Sequence, residues 1–301
     1  MTAATTPLRH APWTDRKGQL SPLRLVVFIG LFLPAITIFA DLIFGPMRPE
    51  PFEYALHESG KWVVRFLLLS LAITPFRRIL GWNRLIGVRR MIGVSVLCYA
   101  LLHLGFYAAQ ENWHLGKVAS EIIARIYLTI GFVALLGLIA LGATSFDAAV
   151  RKLGRNWNLL HRLTYGIGGL ALIHFFLQAK SDVTEPTLMA GLFILLMNYR
   201  VAGVAKLDIS RSWVLALCAA ISAALTAGVE YTWYALATGI PPKLVFLANF
   251  DVETAIRPAV WVAIIGIAVA ILPLLRMLFG GITRKGLTTR PRTSRDGIEP
   301  A

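Results

Sequence analysis

Apolar runs long enough to cross a lipid bilayer recur along this chain, and nothing else in the sequence constrains its fold as strongly. About 20 helical residues rise about 30 Å, the thickness of the hydrocarbon core. Windows bounded by charges, Gly and Pro fall at 23–44, 60–76, 91–109, 126–144, 159–178, 187–199, 213–238 and 258–279. The expected fold is therefore all-α: a polytopic transmembrane helix bundle of about eight spans. The sixth window is the shortest; it crosses only if it continues through 201–204, and dropping it would invert everything after it. Composition agrees, because the 301 residues are 56% hydrophobic and only 15% charged, against roughly 45–50% and 25% in soluble proteins. Disorder, a secreted disulfide scaffold and a large soluble domain are excluded.

The formal net charge is +14, from 30 Lys and Arg against 16 Asp and Glu. Distributed over alternate flanks of the eight windows, 22 of the 30 fall on one side: the arm through Arg24, the stretches Arg77 to Arg90, Arg151 to Arg162 and Arg200 to Arg211, and the end from Arg276 onward. Arg48, Lys61, Arg65, Lys117, Arg125, Lys180, Lys243 and Arg257 fall on the other. Only the cytoplasmic side should be enriched, so both termini are expected there, and the basic excess reads as an orientation signal rather than a nucleic-acid site. No small-residue cleavage site follows the first apolar run, which reads as an uncleaved first helix. Trp62, Trp82, Trp113, Trp157, Trp213, Trp233 and Trp261 lie near predicted helix ends, as an interfacial belt would. Cys98 and Cys218 sit inside apolar runs and read as small buried hydrophobes. Glu230 and Asp41, near outer span ends, read as solvated at the interface, and His57 and His114 as surface residues.

Three of the six histidines, His103, His161 and His174, fall inside predicted spans. An imidazole in a bilayer needs a partner or a cavity: either a modest helix–helix hydrogen bond or a functional site. The third and fifth spans run in the same direction, with His103 thirteen residues beyond Arg90 and His174 thirteen beyond His161. At about 1.5 Å per residue, His103 and His174 share a depth near the outer leaflet and His161 lies about 20 Å below them. Histidines from facing helices are the usual axial ligands of a haem in a bundle, which makes a transmembrane electron path the natural reading. A structural zinc would need three or four ligands at one depth, and the absence of a C-x-x-C-H motif points to haem held without covalent attachment. One geometric obstacle stands, since thirteen residues at about 100° each leave about 220° beyond whole turns, so His161 and His174 do not share a face of an ideal helix. Gly166, Gly168 and Gly169 lie between them, and either a bulge around 165–170 or close helix packing explains those glycines.

Four stretches are recognisable together: LLLSLAITPFRR (67–78), VRRMIGVSVLCYALLHLGFYA (88–108), RIYLTIGFVALLGLIALGATS (125–145) and LGRNWNLLHRLTYGIGGLALIHFF (153–176). Over roughly residues 50–205 the chain resembles the MsrQ family, haem-binding membrane subunits of bacterial periplasmic methionine-sulfoxide reductase systems, related to ferric reductases and NADPH oxidases. The resemblance implies haem b, one or two, with His103 and His174 as ligands of the outer haem iron and His161 of a cytoplasmic-side haem. The related oxidases carry a second histidine near the start of the third helix, where this chain has Arg89 and Arg90; these either bind haem propionates or set orientation. The resemblance further implies FMN, and a multi-pass place in the bacterial inner membrane. It implies electron transfer from the quinone pool or a cytoplasmic flavin reductase to a periplasmic molybdopterin-containing methionine-sulfoxide reductase. No nicotinamide site is expected, because GIGG (166–169) lies within a span rather than in a strand-to-helix turn.

The implied organisation is a cytoplasmic arm (1–22), a haem-binding bundle (23–205), an additional two-helix extension (206–282) and a disordered cytoplasmic tail (283–301). Two other functions fit parts of the pattern: a ferric reductase-like protein passing electrons directly to metal ions or oxygen, and a haem-free transporter whose histidines relay protons. The second lacks the paired broken helices of an inverted repeat.

Overall fold

The structure, a computed structural model, describes residues 11–15, 17–179, 182–251, 253 and 255–285, with side chains through 278. The α-helices among the described residues are α1 (Pro22–Phe44), α2 (Pro51–Leu80), α3 (Arg89–Gln110), α4 (Leu115–Ala124), α5 (Ile126–Ala143), α6 (Asp147–Leu153), α7 (Arg155–Leu160), α8 (Leu163–Ala179), α9 (Thr184–Val204), α10 (Ser212–Ala237), α11 (Pro242–Leu247) and α12 (Pro258–Lys285). Short 3-10 segments occupy Asn83–Val88 and Ala248–Phe250. The protein is a helix bundle, with one isolated bridge, Thr14 to Leu20, near its start.

Each predicted window coincides with a helix: α1, α2, α3, α5, α8, α9, α10 and α12 in turn. Six are long and apolar enough to cross a membrane: α1, α3 with the turn before it, α5, α9, α10 and the stretch Pro258–Leu278 of α12. The short sixth window lengthens into α9, 21 residues from Thr184. The two helices that fall short do so for different reasons. The first half of α2 carries Glu53, His57, Glu58, Lys61 and Arg65, and α8 has 17 residues, about 26 Å of rise.

Local chemistry sets the helix limits. Pro22, Pro51 and Pro242 stand in first turns, where proline's missing N–H costs nothing. Gly81, with φ +62°, closes α2 in the left-handed region. Pro34 interrupts α1, and the interruption is repaired from outside: the Tyr99 hydroxyl donates to Leu31 O and accepts from Ala35 N, both at 2.8 Å. Those two groups would pair with each other in an unbroken helix, so a side chain of α3 replaces one rung of α1.

Packing gives two large cores, with a smaller one of Ile38, Ala55, Leu56 and Phe106 where α1, α2 and α3 meet. One core joins α1, α2, α3, α5 and α8 through Leu67, Val96, Leu135 and Ile167; the other joins α2, α8, α9, α10 and α12 through Leu71, Leu195, Tyr199, Leu215 and Val269. Helices α2 and α8 contribute to both cores, which makes them the spine of the molecule.

Several expectations are corrected. Glu230 is not solvated at the interface: it is 1% exposed and paired with Arg257 at 2.6 Å, because α10 and α12 enclose its position. Cys218 is buried, but Cys98 is exposed on the outward face of α3. Trp62 is no end-of-helix residue, since α2 begins eleven residues before it, and its ring packs on Phe66 and under the Arg65 guanidinium. The first part of the arm (1–10) and of the tail the stretch 286–301 lie outside the described residues, whereas helix α12 continues to Lys285.

Candidate functional site

His103 on α3 and His174 on α8 meet across the bundle with ring centroids 6.3 Å apart and ring planes at 88°. Each ring is held from behind by a different helix. The Nδ1 of His103 lies 2.8 Å from Leu56 O on α2, and the Nδ1 of His174 lies 2.8 Å from Tyr127 O on α5. A carbonyl can only accept, so Nδ1 carries the proton in both rings and Nε2 keeps its lone pair. This is the tautomer and the outer support that a metal-binding histidine needs. Ser59, buried beside His103, donates its hydroxyl to the same Leu56 O at 2.8 Å.

The same device is used twice. Four residues after each accepting carbonyl stands a glycine, Gly60 after Leu56 and Gly131 after Tyr127, and a Cβ on either would come within 2.9 Å of the histidine Cε1. In an α-helix the carbonyl of residue i faces residue i+4. A side chain at i+4 would therefore fill the approach by which the imidazole reaches that carbonyl. Glycine inside a helix costs about 0.5–1 kcal/mol relative to alanine; here it is the condition for the histidine's seat.

Both rings open on a cavity of about 730 Å³. Val64, Leu104, Leu128, Ala134, Leu135 and Leu138 form its apolar wall, while His57, Lys61, Tyr107, Gln110, Glu121 and Arg125 make it polar toward the ends of α3 and α8. Lys61 pairs with Glu58 at 2.7 Å and Glu185 at 3.5 Å, and Arg125 with Glu121 at 2.8 Å. His57 and His114 are both exposed, as expected of surface residues; His57 stands at the rim of this opening and His114 is bonded to Glu111 O.

The donor set fits a haem better than a bare metal. Among the described residues no group of three or more His, Cys, Asp or Glu converges, so a tetrahedral zinc cage has no donors. Two imidazoles suit an iron whose other ligands come from a porphyrin. Two metal–imidazole bonds of about 2 Å, plus about 1 Å from each nitrogen to its ring centre, require centroids about 6 Å apart. The 6.3 Å observed matches. Lys61 and Arg125 stand at the polar end of an otherwise apolar cavity, where propionates would share them with their partners Glu58, Glu185 and Glu121.

The other expected site residues stand elsewhere. His161 caps α7 outside the long helix, with Nδ1 3.1 Å from Trp157 O and its ring stacked on Trp157 at 3.9 Å. The indole of Trp157 donates to Thr144 O at 2.9 Å, which ties this turn to the end of α5. Of the two readings of these glycines, the bulge at 165–170 is overturned: α8 is continuous from Leu163, and the break falls at His161 and Arg162 instead. Gly168 packs against Phe193, and no atom lies within 4 Å of a Cβ placed on Gly166 or Gly169. Helix packing, not a bulge, accounts for Gly168. Neither Arg89 nor Arg90 lines the cavity. Arg89 is within electrostatic reach of His161 and Arg200, and Arg90 pairs with Asp147 at 2.5 Å. Arg200 itself is tied to Leu71 O at 2.6 Å and to the Tyr165 hydroxyl at 3.2 Å, joining α9, α2 and α8.

Sequence reasoning missed Gly60, Gly131, the Leu56 and Tyr127 carbonyls, Lys61 and Arg125. Backbone acceptors leave no mark in a sequence. The available signal was a glycine inside each of two helices facing the histidines.

Comparison with known proteins supports a family assignment. The ferric reductase like transmembrane component family matches residues 59–177, a stretch that begins at Ser59 and closes just after His174. The protein-methionine-sulfoxide reductase heme-binding subunit MsrQ of Rhodospirillum rubrum is 37% identical over 190 residues, which is 62% of this chain and 88% of that protein. The MsrQ subunits of Xanthomonas euvesicatoria pv. vesicatoria and Xanthomonas oryzae pv. oryzae are 42% and 41% identical, each over 50% of this chain and 70% of their own length. No solved structure matches. With most of a relative's length aligned and a histidine pair seated inside the matched bundle, the chain belongs to the MsrQ family.

Proposed function

We propose that this protein is a membrane cytochrome b that carries electrons to a methionine-sulfoxide reductase. The observation that carries the reading is the His103–His174 pair, 6.3 Å apart, with each Nδ1 committed to a carbonyl and each Nε2 left free. Haem bound there would supply reversible one-electron transfer. The chain's own part is to hold the two imidazoles in one tautomer, to exclude water with the apolar wall, and to receive the propionates near Lys61 and Arg125. Neutral carbonyl acceptors support the rings without adding a buried charge. One haem is accommodated by this pair. His161, with Trp157 as its ring partner, offers no matching imidazole for a second.

The family's relation to a methionine-sulfoxide reductase and the arginine excess on the far side of the bundle support the orientation: acceptor at the periplasmic side near His174, donor at the cytoplasmic side. The acceptor is a periplasmic molybdopterin-containing subunit, the donor a quinol or a cytoplasmic flavin reductase, FMN a further cofactor, and the location the bacterial inner membrane. The test is an oxidised and dithionite-reduced visible spectrum of the detergent-purified protein with its haem-to-protein ratio. A low-spin b-type spectrum near one haem per chain, lost in His103→Ala and in His174→Ala, is expected. A folded wild type without haem overturns the proposal.

A further inference from the structure

Below the histidine site, on the arginine-rich side, a second cavity of about 450 Å³ opens between the ends of α2 and α9. Arg77, Arg78, Gly81, Asn83, Lys206 and Ser210 are among its lining residues. Among the described residues, none of Arg77, Arg78 and Lys206 forms an ion pair. The one carboxylate in the lining, Asp208, is already engaged by the Ser210 N–H at 3.0 Å and hydroxyl at 2.7 Å, with Arg211 at 3.7 Å. A fourth cation comes from α12: the Arg276 guanidinium lies against Gly81, so close that any Cβ there would collide with it.

The backbone at Lys206 is a second, independent observation. Helix α9 ends in a Schellman motif, with Leu207 N bonded to Ala202 O at 2.9 Å and Lys206 N to Gly203 O at 3.3 Å. The position between these bonds must take the left-handed conformation, and glycine is its usual occupant. Here it is Lys206, at φ +60°. A side chain stands where the backbone penalises one, and Lys206 lines the cavity beside Arg77 and Arg78. Strain retained at such a point is a reason to look for a ligand.

We propose that this cavity binds a phosphate group, carried either by an anionic lipid headgroup or by a soluble phosphomonoester. Unpaired guanidinium groups grip phosphate oxygens with charge-assisted hydrogen bonds, and basic clefts between helices on the cytoplasmic face are known seats for anionic headgroups. Its floor and rim come from α2 and α9, and Arg276 adds a cation from α12, so the last long helix completes a site begun in the family-matched region. This proposal does not depend on haem occupancy.

The experiment uses the full chain in phosphatidylcholine nanodiscs, with two probes: FMN followed by fluorescence quenching, and cardiolipin followed as adducts in native mass spectrometry. Arg77→Gln/Arg78→Gln/Lys206→Gln is expected to weaken binding of one probe about tenfold or more, with an unchanged far-ultraviolet circular dichroism spectrum as the control for folding. The probe that responds names the source of the phosphate. Lys206→Gly separates a ligand role from a structural one, because it relieves the backbone and removes the charge: its melting temperature without ligand should rise while probe binding weakens. If wild type retains neither probe, or if both variants bind like wild type, the site is refuted.

Discussion

His103 and His174 reach across helix boundaries to Leu56 O and Tyr127 O, whereas His161 bonds back to Trp157 O within its own turn. The difference is one of what fixes the ring. An acceptor on another helix locks the imidazole to the packing of the bundle, so its direction survives any local motion of its own backbone. An acceptor four residues back moves with the residue it supports. The outer pair is also cleared by two glycines and faces a large cavity, while His161 is stacked flat on an indole. Identical side chains in one family-matched segment are thus prepared to different degrees for binding a metal.

Removing the rings themselves breaks the comparison most severely. His103→Ala or His174→Ala should abolish the low-spin haem spectrum, while His161→Ala should keep it; equal loss from all three would show that His161 is also a ligand. Next come the glycines. Gly60→Ala and Gly131→Ala insert a Cβ 2.9 Å from a histidine ring, and overpacking of this kind costs about 1–3 kcal/mol. Lower haem occupancy or altered electron paramagnetic resonance g-values are expected, whereas Gly105→Ala and Gly166→Ala, with no atom within 4 Å of the added Cβ, should leave the spectra alone. Spectra indistinguishable across all four variants would remove the glycines from the site. Trp157→Leu deletes the stack on His161 and the bond to Thr144 O. A thermal melt should show a loss of about 1 kcal/mol with the haem bands of the outer pair unmoved, and a band shift there would mean the two regions are coupled. The smallest effect belongs to Arg90→Gln, which breaks an exposed pair with Asp147 and should cost under about 1 kcal/mol; loss of haem would restore Arg90 to the binding residues.

The eight windows were legible as helices because long apolar runs are read as helices, six of them long and apolar enough to cross a membrane, and the shared level of His103 and His174 followed from helix rise alone. What the sequence concealed has physical causes. Helix α2 begins at Pro51, well before the predicted window, and the charged extension is partnered within the fold, with Glu58 paired to Lys61, which together with Arg65 reaches Glu185 of α9. The break falls near His161 rather than at the glycines, because glycine in a helix is as easily a contact surface as a hinge, and Gly168 is the former, against Phe193. Glu230 looked interfacial from its place near a span end, but its partner Arg257 lies 27 residues away in sequence, a pairing that only tertiary packing reveals. Arg89 and Arg90 were candidates for the propionates by position, and the cations that line the cavity instead are Lys61 and Arg125, from helices whose approach no spacing encodes.

On the proposed function, the ends of α3 and α8 set how far an acceptor would travel. Helix α8 stops at Ala179 and α3 at Gln110, so His174 and His103 stand about 8 Å and about 11 Å of helix rise below the rim. A protein arriving from that side need not wedge itself among lipid tails or unfold a loop to make contact. It can rest on the headgroup layer, keep its own redox group inside its own fold, and still be within short reach of the site.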